Sequence, residues 1–107
     1  MKFTKDNRVR LASDFGAIRK LGDKVELPPF VVYVKDAAGE KSRLGVVASR
    51  RVGNAVRRNH AKRVMRAIFR ELYADIPRPL DILVYMRSSY KKFEYEDLKK
   101  YLKRAAK

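Results

Sequence analysis

An amphipathic helix constrains the fold of this chain more than any other feature of its sequence. Apolar residues recur from Ala61 to Leu72 at the spacing of one helix face, and such a stripe has to pack against a core. Gly53 and Asn54, which have turn and helix-cap chemistry, stand directly after residues typical of a strand end. The sequence therefore predicts a strand, a tight turn and a helix that ends near Leu72.

The other side of this helix is strongly positive. From Lys41 to Arg70 the chain has ten basic residues and no acidic residue. Like charges four residues apart, such as Lys62 and Arg66, repel each other, and cations at a helix N-terminus oppose the helix dipole. A solvated helix would alternate acidic and basic side chains, whereas a bound polyanion would neutralise the excess of cations. We therefore expect this side of the helix to bind a polyanion.

Length and charge narrow the class of protein. The chain has 107 residues and a formal net charge of +15, which favours one domain and an anionic partner, either a nucleic acid or an anionic membrane surface. We expect a single domain over residues 1–107. Its basic residues 1–8 are expected to form either a flexible arm or an edge tethered to the domain.

The side chains available for chemistry are few. The chain has no cysteine and one histidine, His60, so we expect neither a metal site nor a nucleophile–base triad in the protein itself. No apolar run approaches the ~18 residues of a membrane span, and the N-terminus lacks the apolar segment of a signal peptide. We therefore expect a cytoplasmic protein that is not a catalyst on its own.

Elsewhere the chain predicts a small sheet and two further helices. Ser13 is expected to cap a helix at Asp14–Leu21, which Gly22 ends. Strands are expected at 24–27, 30–35, 43–49 and 80–86, and a last helix at 93–106.

The order of these elements indicates their arrangement. Residues 36–40 have the composition of a hairpin turn, which would pair strand 30–35 with strand 43–49. The apolar run 80–86 is typical of a strand buried on both faces. We therefore predict an α/β (α+β) two-layer sandwich, with a small mixed central sheet and about three helices.

The turn and the start of the basic helix resemble a known signature. Residues 51–63 are similar to the signature of the bacterial ribonuclease P protein subunit, which reads basic-hydrophobic-Gly-Asn-Ala-Val-x-Arg-Asn-Arg-x-Lys-Arg. His60 stands where the signature has the last arginine of Arg-Asn-Arg. The similarity continues through residues 8–15 near the start of the chain and through the strands, so it covers nearly the whole chain.

The resemblance implies both a fold and a function. In that family the strand–helix–strand unit crosses over with left-handed geometry, an exception to the usual rule. The protein is a cytoplasmic subunit of an endoribonuclease whose catalyst is an RNA. That RNA, which binds most of the Mg²⁺, removes the 5′ leader of precursor tRNA. The resemblance thus implies two partners, the catalytic RNA and precursor tRNA, and a monomeric protein within the holoenzyme.

The resemblance also implies two sets of binding residues. The RNA-binding set is Arg50, Arg51, Asn54, Arg57, Arg58, Asn59, His60, Lys62, Arg63, Arg66 and Arg70. The set lining the cleft for the leader is Phe15, Arg19, Val31, Tyr33, Ser49 and Arg87. Arg19 stands where many relatives have an aromatic residue, so we expect a cation–π or phosphate contact there in place of stacking.

Other functions fit the same composition. A structural RNA-binding protein of the ribosomal type would have a similar charge, and only the turn-and-helix signature argues against it. A DNA reader is expected to aim side chains of one helix at base edges, and a membrane-surface helix to carry Trp or Phe along its apolar face. The helix here offers cations suited to phosphates, and its apolar face has the spacing of a core. We therefore expect neither a DNA nor a membrane partner.

Overall fold

Three helices and one four-stranded sheet make up residues 7–76, 78–88 and 92–105, the part of the chain that the computed structural model describes. In chain order they are α1 (Ala12–Leu21), β1 (Asp23–Leu27), β2 (Phe30–Asp36), β3 (Arg43–Ala48), α2 (Ala55–Tyr73), β4 (Leu80–Met86) and α3 (Lys92–Ala105). A 3-10 turn at Arg50–Val52 leads from β3 into α2. The α+β class, the three helices and the small mixed sheet are confirmed.

The strands are ordered β1-β2-β4-β3 across the sheet. Strand β4 pairs antiparallel with β2 and parallel with β3, so β3, α2 and β4 form a crossover unit. The predicted hairpin between β2 and β3 is wrong, because β4 lies between them. The apolar side chains of β4 are buried on both faces, which favours a central position with a partner strand on each edge. The hairpin partner of β2 is instead β1, which lies at the edge of the sheet.

The sheet carries helices on both faces. On one face, α2 and α3 pack against β2, β3 and β4, and this cluster includes Phe30, Met65 and Leu98. The predicted apolar stripe of α2 lies in this core, with Val64 only partly buried. On the other face, Ile18 of α1 packs with Val9 and Leu83. Helix α1 thus adds a partial third layer to the predicted two-layer sandwich.

The first described residues differ from the expectation at the start of α1 and agree with one of the two alternatives before it. Helix α1 begins at Ala12, and its N-cap is Leu11, which makes no side-chain cap hydrogen bond. The predicted cap at Ser13 is therefore wrong: the backbone N–H of Asp14 already donates to the Leu11 carbonyl, which places Ser13 inside the first turn. Before α1, Val9 donates its N–H to the Leu44 carbonyl, so residues 7–9 are tethered along β3. Residues 1–6 of the expected arm lie outside the described residues.

Candidate RNA-binding interface

The turn before α2 has the predicted cap. Gly53 has a φ of +145°, which side chains rarely tolerate, and a Cβ there would lie 2.6 Å from Cδ of Arg57. The next residue, Asn54, accepts a hydrogen bond from the backbone N–H of Arg57 at its Oδ1, over 3.0 Å. The side-chain oxygen of Asn54 thus caps the start of α2. The RNA contact that the resemblance implies would be a second role for this residue.

Replacement of Asn54 by alanine is expected to lower the free energy of unfolding by about 1 kcal/mol, because it removes the cap. Urea unfolding, followed by circular dichroism, measures this change. Asn59→Ala is the matched control, since Asn59 is exposed on the same helix and caps nothing. Equal losses in the two variants would show that capping by Asn54 does not stabilise α2.

The basic side of α2 is exposed and electrostatically uncompensated. Seven of the residues expected to bind RNA are exposed, namely Arg50, Arg51, Arg57, Asn59, His60, Arg63 and Arg70, besides the cap residue Asn54. Within the described part of the chain, none of the basic residues of α2 makes an ion pair with a carboxylate. This surface therefore has its charge available for an external polyanion.

Arg66, a half-buried cation of α2, lies close to other positive charges. Burial lowers the pKa of Arg66, and the nearby positive charges of Arg8 and Arg63 act in the same direction. The Nε atom of Arg58 is buried without a hydrogen-bond partner among the described residues. Folding thus places cations against each other at a cost that an RNA phosphate backbone would offset.

A cleft lies on the α1 side of the sheet. It has a volume of about 210 Å³, and its walls come from β2, β3, β4 and α1. The lining residues are Arg19, Val31, Tyr33, Val47, Ser49, Tyr85, Met86 and Arg87. Five of the six residues expected to contact the leader therefore lie together.

The sixth expected residue, Phe15, borders a separate cavity. That cavity, also about 210 Å³, is lined by Phe15 and Gly45 together with Arg8, Lys62 and Arg66. Phe15 lies directly over β3, where a Cβ at Gly45 would stand 2.9 Å from its Cε1 atom. The small residue at this position thus permits the close approach of α1, and the aromatic ring of Phe15 lies next to cations of α2.

Tyr85 is a cleft residue that neither the sequence pattern nor the resemblance indicated. Its ring makes an edge contact with Tyr33, with centroids 5.9 Å apart, and the guanidinium of Arg19 lies 5.9 Å from its centroid. Burial raises the pKa of the Tyr85 hydroxyl. The structure shows its place through the sheet register, because Tyr85 stands opposite Val31 on β2. The apolar run of β4 concealed it, since such a run does not show which face is covered by a helix.

The rim of the cleft is held by polar contacts. Ser49 donates its hydroxyl hydrogen bond to the Arg87 carbonyl over 2.8 Å, and its backbone N–H donates to Met86. The guanidinium of Arg87 lies 3.7 Å from a carboxylate oxygen of Glu26 on β1. The main chains of β3 and β4 are thus joined at the end of the cleft, where Arg87 remains exposed.

No three histidine, cysteine or carboxylate side chains converge in the part of the chain that the structure describes. The Mg²⁺ ions that the family resemblance implies therefore find no matching donor set there, and no step of the reaction is assigned to a metal held by this chain. Across the same residues, no helix has the length and apolar character needed to cross a membrane.

Comparisons with known proteins agree with this geometry. A profile of the family Ribonuclease P matches residues 3–107. The ribonuclease P protein component of Thermotoga petrophila is 42% identical over 96 residues, which are 89% of this chain and 82% of the relative. That of Shouchella clausii is 34% identical over 104 residues, covering 96% of this chain and 85% of the relative.

Solved structures give the same result. A Staphylococcus aureus RNase P protein, a mutant with defective mRNA degradation activity, superposes with a TM-score of 0.80 at 32% identity and covers 94% of this chain and 89% of its own. The RNase P protein from Thermotoga maritima gives a TM-score of 0.70 at 34% identity, with 92% and 94% covered. This chain therefore belongs to the family of bacterial ribonuclease P protein components, the protein subunits of an RNA-processing endoribonuclease.

Proposed function

We propose that this subunit binds the ribonuclease P RNA through the basic side of α2 and holds the 5′ leader of precursor tRNA beside α1. The proposal rests on the grouping of five expected leader residues in one cleft, with the sixth, Phe15, beside cations of α2. Membership in this family favours that function over a structural RNA-binding protein of the ribosomal type.

The cleft offers the chemistry that a single-stranded leader requires. Tyr33 and Tyr85 provide ring faces for unpaired bases, and stacking on such rings contributes ~1–3 kcal/mol per base. Arg19 and Arg87 border the same cleft and supply positive charge for the phosphates. A mature tRNA has no leader, so these contacts select the precursor.

The basic side of α2 offers a different kind of binding. Its cations neutralise phosphates and release counterions, which is a largely sequence-independent source of affinity. Because both the catalytic RNA and the precursor are polyanions, a subunit that contacts both lowers their mutual repulsion. We assign α2 to the catalytic RNA and the cleft to the precursor, within a cytoplasmic holoenzyme that holds this chain as a monomer.

The protein binds and orients, and the RNA performs the hydrolysis. In this proposal the RNA would hold the Mg²⁺, which would supply an activated water and compensate charge at the phosphate. The side chains described above fix the leader on one side of the scissile bond. Their effect on the reaction is thus exerted through substrate affinity and placement.

Replacing Tyr33 by alanine is expected to weaken holoenzyme binding of precursor tRNA about tenfold, because one stacking surface is lost. Binding of mature tRNA should stay unchanged. Affinities for the two tRNAs, measured on the reconstituted holoenzyme at fixed salt, test this. Tyr33→Phe keeps the ring and should behave as the wild type.

Equal losses for precursor and mature tRNA in Tyr33→Ala would refute the assignment of the leader to the cleft.

The holoenzyme function itself is tested by cleavage at low Mg²⁺. The protein should restore removal of the leader by a ribonuclease P RNA that is inactive alone under those conditions. Binding to the RNA without any gain in cleavage would instead support a ribosomal-type role.

A further inference from the structure

One arginine connects α1 to the interior of the sheet. Arg43 on β3 donates from Nε and Nη2 to the two carboxylate oxygens of Asp81 on β4, over 2.9 and 2.8 Å. Its Nη1 donates to Asp14 of α1 over 3.2 Å. The hydrogen bonds to Asp81 hold the pKa of Arg43 well above its ordinary value. Arg43 therefore stays charged and bridges the two carboxylates.

The two halves of this bridge differ in burial. The side chain of Asp81 is 2% exposed, whereas those of Arg43 and Asp14 are 27% and 34% exposed. The Arg43–Asp81 contact belongs to the interior, and the Arg43–Asp14 contact lies near the surface. Ion pairs near the surface contribute little to folding stability, so the contact with Asp14 is not needed for the chain to fold.

Helix α1 has few other polar attachments to the sheet. No side chain caps its N-terminus, and Asp14–Arg43 is the one ion pair that joins it to a strand within the described residues. Its remaining contacts with the sheet are apolar packing by Ile18 and Phe15, a close approach of Gly22 to β2, and the guanidinium of Arg19 beside the ring of Tyr85. Apolar packing is not directional, so the ion pair adds a directional constraint on the lateral position of the helix.

That position determines where two of the residues expected to contact the leader stand. Phe15 directly follows Asp14, and Arg19 lies one helical turn beyond it. Phe15 lies over Gly45, and the guanidinium of Arg19 lies over the ring of Tyr85. A binding site has to be held to within about 0.5 Å by the residues around it, so a small shift of α1 is enough to spoil both contacts.

We propose that Arg43 is a positioning residue for leader binding: by joining Asp14 to Asp81, it fixes α1 so that Phe15 and Arg19 meet the bound leader. The inference rests on the proposed function of the cleft. Arg43 itself touches no substrate in this account. Its contribution is made through the placement of α1.

The test is Asp14→Ala, which breaks the tether and leaves the interior Arg43–Asp81 contact in place. The affinity of the reconstituted holoenzyme for precursor tRNA should fall about three- to fivefold, the range expected for a partly exposed ion pair. Affinity for mature tRNA should not fall. Asp14→Glu keeps a carboxylate within reach of Arg43 and should restore precursor binding.

Asp75→Ala is the matched control, because it removes the same charge from an exposed residue just beyond α2 that makes no described ion pair. It should leave the ratio of precursor to mature affinity unchanged. Tyr33→Ala is measured beside it. If Tyr33→Ala lowers this ratio and Asp14→Ala does not, the positioning role is refuted and the cleft assignment stands. If neither variant lowers it, both are refuted.

Discussion

Replacing Arg58 and Arg63 together by alanine is expected to weaken binding of the ribonuclease P RNA by at least about a hundredfold. Each arginine is assigned a charge-assisted contact with a phosphate, and such hydrogen bonds contribute about 1.5–3 kcal/mol each. The slope of log affinity against log salt should also fall by about 1.4–1.8, since two phosphates are no longer neutralised. Equilibrium binding of the protein to the RNA at several salt concentrations measures both quantities.

A matched variant separates local contact from overall charge. Lys103→Ala/Arg104→Ala removes two exposed cations from α3, so the net charge changes by the same amount. This variant should lose only a small part of the affinity, because α3 lies outside the assigned interface. Equal losses in the two double variants would show that general charge, and not the basic side of α2, binds the RNA.

Helix α2 was predictable from sequence because its determinants are local. The spacing of its apolar residues identifies the buried face, and both Gly53 and Asn54 act within one turn of the helix start. The excess of cations on the other side follows from the same spacing. A pattern of this kind needs no knowledge of distant parts of the chain.

The strand order was not predictable in the same way. Alternation along a strand shows which residues share a face, but it does not identify the neighbouring strand. Residues 36–40 have turn composition, yet the chain there passes the end of β4 to reach the far edge of the sheet. The buried character of β4 was visible in its sequence, and its position between β2 and β3 follows from pairing across a long sequence separation.

The cleft contains some residues that could be predicted before the structure was known and others that could not. The resemblance supplied Tyr33 and Arg19, and the structure places them together, but Tyr85 was missed because it lies in an apolar run. Phe15 borders a separate cavity with Lys62, which strand and helix periodicity did not indicate. Contacts between elements depend on the approach of α1 to the sheet, and no local pattern encodes that approach.

The ion pairs of Arg43 show most clearly that local sequence patterns do not predict contacts between distant elements. The partners of Arg43 are 29 and 38 residues away in the chain, and nothing in the sequence pairs these charges. A buried aspartate in a strand is nevertheless a useful signal, since it requires a partner. Asp81 within the apolar run of β4 indicates that a cation has to reach it.

Arg43→Met is expected to lower the free energy of unfolding by about 3 kcal/mol, because it leaves the buried carboxylate of Asp81 without its partner. For a chain of this size, the thermal midpoint should fall by about 12–24 °C. Thermal and urea unfolding measure the change. A loss below about 1 kcal/mol would mean that Asp81 does not depend on Arg43.

The double variant Arg43→Met/Asp81→Val separates stability from positioning. Replacing both members of a buried ion pair by apolar residues is often neutral or stabilising, so most of the lost stability should return. Precursor tRNA binding should nevertheless remain weak, because Asp14 has no partner in either variant. Recovery of precursor affinity together with stability would show that Arg43 acts only through folding, whereas recovery of stability alone supports its role in placing α1.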